Sequence, residues 1–161
     1  MVMNTEYKSW LDKIVQKIDE KSEQAKQKQI RQMLINDYFS ELNLSKRLQL
    51  DALSIPYEFL RERILKIAGE NAEHARLLKE HLEKRGGSFS SNQFAQNDQE
   101  PTQIGYRNLI RDFEAHKALE EEYIRQINLI DDEETKRILK RIQRNKARQK
   151  ELLLDTVMRI S

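Results

Sequence analysis

At 161 residues the chain is expected to fold as one domain, 1–161, long enough to bury a real core. Charged residues make up 35% and aromatics 7%, with four glycines and two prolines, which argues for long helices over strands. There is no cysteine, which excludes disulfides and thiolate metal sites, and a formal net charge of +2 gives no global pull toward nucleic acid.

No apolar run approaches the roughly 20 residues that a membrane span needs. Met1-Val2-Met3-Asn4 leads into a polar helix without a signal-peptide hydrophobic region. The expectation is a cytoplasmic protein with no membrane partner.

Taken in order, residues 5–42 read as a first helix. Tyr7, Trp10, Leu11, Ile14 and Ile18 recur at spacings of three and four. The stretch from Glu20 to Gln29 is polar, and Ile30, Met33, Leu34, Tyr38, Phe39 and Leu42 resume the stripe. A kink or break is expected near Asn36 to Leu44, because one straight helix of this length exceeds a small bundle. Residues 43–55 read as a connection with a short helical turn.

The second helix is expected over 56–85, with Ser54 as N-cap and Pro56 in its first turn. Leu60, Ile64, Ile67, Asn71, Ala75, Leu78 and Leu82 form its inner stripe, and Gly86-Gly87 stop it. Residues 86–104 form a long loop that is either a linker or a crossover returning the chain along the helices. The third helix is expected over 105–130. Asp131-Asp132 make a tight turn and cap for the fourth, over 133–159, with Glu133 and Glu134 at its positive end. Two short links and one long one give an antiparallel four-helix bundle with a long crossover between helices two and three, in the all-α class.

Within that outline, Glu73-His74-Ala75-Arg76-Leu77-Leu78, the following Glu83-Lys84-Arg85-Gly86-Gly87, the crossover and the segment from Tyr123 to Leu152 carry a resemblance. Over roughly residues 28–158 the chain resembles the ferritin-like superfamily, particularly its rubrerythrin- and ferritin-type domains. The resemblance implies a di-iron or di-manganese centre held by one Glu from each of two helices and a Glu-x-x-His pair from each of the other two. The chain departs from this pattern. His74 stands at the histidine position of helix two, but Asn71 replaces the carboxylate three residues before it. On helix four, Asn145 falls at the Glu position and Arg148, or Gln149 one register along, at the His position. Two amides and a guanidinium withdraw the charge that two divalent ions require. The usual dinuclear centre is therefore expected to be lost, with no cofactor in its place.

His116 and Glu120 stand one turn apart on helix three and are expected to face the core. The middle of the bundle thus keeps a polar layer of Asn71, His74, His116, Glu120, Asn145 and Gln149, with Glu70 beside it. The first helix would add Glu20, Glu23, Gln27 or Gln29. One reading is a reduced iron or manganese site on His74, His116 and Glu120, with Glu70 as a further ligand. The favoured reading is a hydrogen-bonded layer in which Arg148 pairs with Glu120 or Glu70. His81 reads as a surface or boundary histidine near its helix end.

The basic run of Lys136, Arg137, Lys140, Arg141, Arg144, Lys146, Arg148 and Lys150 reads as a solvated face paired with Glu120, Glu121 and Glu122. No aromatic side chain interleaves with it, which weighs against nucleic acid. The sequence is thus expected to encode a non-catalytic binding or structural protein, a homodimer. The alternatives are a metal-binding oxidoreductase or iron-binding protein, and a helical module whose first helix pairs with another protein.

Overall fold

The computed structural model describes residues 5–87 and 106–160, and among these the protein is all-helical. Four helices follow one another: α1 (Thr5–Ala52), α2 (Glu58–Lys84), α3 (Tyr106–Leu129) and α4 (Glu133–Ile160). Two compact units divide the chain, residues 1–33 and residues 34–161. The expected loop 86–104 lies outside the described residues from residue 88 on.

The expected break in α1 does not occur. No glycine or proline interrupts residues 5–52, and an apolar spacing of three and four persists through Leu44, Leu48 and Ala52, all buried. The helix ends at Ala52, three residues ahead of Ile55, which Pro56 biases away from the helical region. Ser54 does not cap α2. Its hydroxyl donates to the Asp51 carbonyl at 2.7 Å, so it closes the end of α1. Tyr57, in extended conformation, holds the N-cap position of α2, and Pro56 lies just outside the helix. The Gly86-Gly87 stop is found as expected. Gly86 takes φ 77°, where a side chain would be strained, and the Gly87 amide donates to the Leu82 carbonyl at 3.0 Å. Asp132 caps α4, its carboxylate accepting from the Thr135 amide at 2.9 Å.

Within residues 34–161 each helix buries a stripe with alternating spacings of three and four. On α1 it is Leu34, Asp37, Glu41, Leu44 and Leu48; on α2, Ile64, Ile67, Asn71, His74 and Leu78. On α3 it is Leu109, Asp112, His116, Leu119 and Tyr123; on α4, Leu139, Ile142, Lys146, Gln149 and Leu153. An apolar cluster, including Leu48, Ile55, Leu60, Ile64, Ile67, Leu109 and Leu153, forms one part of this core. Burying each such aliphatic side chain contributes about 1.5–3 kcal/mol before entropy is counted. Further along the same stripes the buried residues turn polar, and then apolar again at Leu34, Leu78, Leu82 and Leu139.

Cross-helix pairs fix the directions. Ser45 meets Ala68, and Glu41 meets His74. Arg47 meets Asp112, Glu41 meets Tyr123, and Asp37 meets Gln126. Arg63 meets Asp155, Asn71 meets Lys146, and His81 meets Thr135. Numbers rise on one helix as they fall on its partner, so α1 runs antiparallel to α2 and to α3, and α2 antiparallel to α4. It follows that α2 and α3 point the same way.

Candidate functional site

The polar layer is centred on an ion pair that the sequence reading missed. Lys146 of α4 is 0% exposed. Its ammonium donates to Glu41 Oε2 at 2.7 Å, Asn71 Oδ1 at 2.6 Å and Gln149 Oε1 at 3.2 Å. Three acceptors match the three donors of an ammonium, so the buried cation is fully satisfied. Glu41 of α1 is equally buried and accepts the Tyr123 hydroxyl at 2.9 Å. His74 Nδ1 stands 3.5 Å from the same carboxylate. Four helices therefore converge on one carboxylate.

Burial alone would push Glu41 up, but the Lys146 charge and the hydrogen bonds of His74 and Lys146 hold its carboxyl below its ordinary value. Burial pulls the Lys146 ammonium down, with Glu41 acting against it. Tyr123 is pushed well up by burial and by the carboxylates of Glu41 and Asp37, so it stays a neutral donor. Next to this centre, burial raises Asp37 to about 7 against a hydrogen bond from Gln126.

Both histidines of the layer are occupied by amides. His116 Nδ1 lies 2.7 Å from the Asp112 carbonyl, and this oxygen can only accept. The ring therefore carries its proton on Nδ1, and Nε2 accepts the Asn71 Nδ2 hydrogen at 3.0 Å. Burial, aided by the Lys146 charge, lowers His116 to about 3, so it is neutral. His74 follows the same logic. Its Nε2 takes the Asn145 Nδ2 hydrogen at 2.8 Å, leaving Nδ1 to face Glu41. Arg148 then fixes the Asn145 carbonyl with bonds of 3.2 and 2.7 Å and reaches on to Glu70. The lone pair by which each imidazole would hold a metal is filled by an N–H group.

Of the four residues singled out as metal ligands, the structure thus gives each a separate partner. His74 contacts Asn145 and Glu41, His116 contacts Asn71, Glu70 pairs with Arg148, and Glu120 pairs with Lys150 at 2.8 Å and accepts from Gln143. Among the described residues no group of three or more His, Asp or Glu side chains is placed to hold an ion. Asn71, His74, His116, Glu120 and Gln149 are buried as expected, and Arg148 pairs with one of its two expected partners.

Several positions need correction. Lys146, read as part of a solvated face, is the buried centre, because the inner stripe of α4 runs through Leu139, Ile142, Lys146 and Gln149. Asn145 and Arg148 flank that stripe, and the Arg148 side chain is 47% exposed. The contribution of α1 comes from Asp37 and Glu41, beyond the residues proposed for it, because these two lie on its buried stripe opposite Gln126, Tyr123 and Lys146. His81 is buried, with Nε2 2.8 Å from the Thr135 hydroxyl.

His74 and Asn145 also line a surface groove of about 660 Å3 together with Lys66, Glu70, Leu77 and Arg141. Away from the layer, the Asp112 carboxyl is pushed up to about 9 by burial and by the hydrogen bond and charge of Asp51, against the pull of Arg47 at 3.0 Å. No family profile, curated protein or solved structure matches the chain.

Proposed function

We propose that the protein is a ferritin-like four-helix bundle whose di-metal centre is replaced by a cation of its own chain, and that its role is structural or binding, not catalytic. The observation that carries this reading is the Lys146 ammonium, held between Glu41, Asn71 and Gln149 at the level of His74 and His116. A lysine there supplies positive charge where the family places metal ions, and the amides of Asn71 and Asn145 occupy the imidazole lone pairs. The helix directions support the fold part of the reading. Parallel α2 and α3 are joined by the longest link in the sequence, and a bundle of this type has one long crossover.

The test is metal content after expression with iron and manganese supplied. Purified protein is expected to carry less than one stoichiometric ion per chain, and to keep its melting temperature on chelation. Two ions per chain would overturn the reading. One ion, lost in His74→Ala, would favour an iron-binding or oxidoreductase role through a reduced site.

A second reading rests on α1. It has 48 residues where α2, α3 and α4 have 27, 24 and 28, and residues 1–33 form a unit of their own. This suits an interaction module in which the early part of α1 pairs with a second copy of the chain in a homodimer.

A further inference from the structure

We infer that Lys146 and Asn71 are poised to join in an intramolecular isopeptide bond, with Glu41 as the proton carrier. The inference uses the same polar layer as the functional reading but not its metal history. An amine becomes a nucleophile when it is desolvated and has a base within reach. Lys146 is fully buried, and Glu41 Oε2 lies 2.7 Å from its Nζ. An amide becomes an electrophile when its oxygen is polarised and its nitrogen can leave. Asn71 is fully buried, its Oδ1 accepts a hydrogen bond from that same Nζ at 2.6 Å and is polarised by it, and its Nδ2 donates to the neutral ring of His116, which holds the amide in place. Attacking atom, base and electrophile come from three helices and are held by packing, which removes much of the entropic barrier to their meeting.

The step balances without any further reagent. Glu41 takes a proton from the Lys146 ammonium, and the freed amine attacks Cγ of Asn71, forming the Nζ–Cγ bond. A second Lys146 proton passes to Nδ2, the Cγ–Nδ2 bond breaks, and ammonia leaves. The last of the three Lys146 protons stays on the new amide, and Glu41 keeps the first as a neutral acid. The products hold no buried charge where the reactants held two. Burying charge is costly even when it is paired, so this change favours the product. The Tyr123 hydroxyl, 2.9 Å from Glu41 Oε1, steadies the carboxyl during the transfer. Gln149 also touches Nζ, but at 3.2 Å and from the same helix, so Asn71 is the better electrophile.

Intact-mass measurement of the purified full chain tests this directly. The expected result is a chain lighter than its sequence by one ammonia, with a proteolytic digest yielding one branched peptide that joins Lys146 to Asn71. Glu41→Gln and Lys146→Arg are expected to abolish both signals. A wild-type chain of unaltered mass overturns the crosslink, and no variant has to fold for that result to be read. A deficit of one water with a branch to Glu41 also overturns it, as does a deficit that persists in Lys146→Arg. The bond would leave a neutral amide nitrogen where the ammonium stands, so the centre stays filled in either form, and the metal assay and the mass measurement fail separately.

Discussion

Lys146 shows how a charged residue becomes a core residue. A lysine on a basic helix belongs in solvent by composition, and here seven other cations surround it in sequence between Lys136 and Lys150. Position decides against composition. Lys146 is four residues after Ile142 and three before Gln149, on the face that also buries Leu139 and Leu153. That spacing was legible. The neutralising partner was not, since Glu41 lies over a hundred residues away on another helix. Removing one member of a buried pair leaves the other without a counter-charge. In a chain that carries no crosslink, Lys146→Met is therefore expected to destabilise the protein by about 3–5 kcal/mol, and the double variant with Glu41→Gln to regain much of that loss. Urea unfolding of wild type, single and double variants measures both.

Asp112 gives a pH signature. Its folded pKa of about 9 lies above the ordinary value of 3.8, so the folded state holds a proton that the unfolded state has lost. Stability from this group is full below the unfolded pKa and declines as pH rises through about 9. His116 acts in the opposite sense, but only below its ordinary value of 6.5. From pH 7 to 9 the Asp112 slope therefore stands without that opposition. Asp112→Asn is expected to flatten the decline across this window. Equal slopes for wild type and variant in pH-dependent denaturation would refute the assignment.

At the scale of elements, α2, α3 and α4 were legible within about two residues at most ends, because single stripes end at strong punctuation: Gly86-Gly87 on one side and Asp131-Asp132 on the other. The course of α1 was not. Its break was expected from length alone, and its stripe contains Asp37 and Glu41, whose partners Gln126, Tyr123 and Lys146 lie on other helices. With the end of α1 unfixed, its contribution to the site was sought among Glu20, Glu23, Gln27 and Gln29. The turn into α4 ties local capping to packing. Asp132 caps the helix and also receives Arg85 at 2.9 Å, while Thr135 reaches His81. Asp132→Ala is expected to cost about 0.5–2 kcal/mol through the cap alone. A fall of several degrees in melting temperature, with the helical signal kept below the transition, would show it.

For the whole molecule, the all-helical class followed from composition and periodicity, whereas the relative directions of the helices rest on pairs no sequence pattern displays. Glu41, His74, Tyr123 and Lys146 meet within residues 34–161, a compact unit in its own right. Deleting residues 1–27 is expected to leave cooperative unfolding intact. Sedimentation of the same variant tests the role of α1: a shift from dimer to monomer supports the interaction reading, and an unchanged oligomer removes it.

The hydrogen bonds of the polar layer have a fixed sense of travel. One branch runs outward from Lys146 through Asn71 and His116 to the Asp112 carbonyl, and another runs from Arg148 through Asn145 to His74, whose Nδ1 faces Glu41 at 3.5 Å. Along the first branch each proton has one acceptable place, so Asn71 and His116 are ordered in their hydrogens as well as their heavy atoms. Substitutions that preserve shape are then not conservative. Replacing Asn71 with aspartate changes little volume, yet it turns a donor into an acceptor facing the lone pair of His116 and forces that ring to change tautomer or take up a proton. The layer tolerates change of size less selectively than change of polarity.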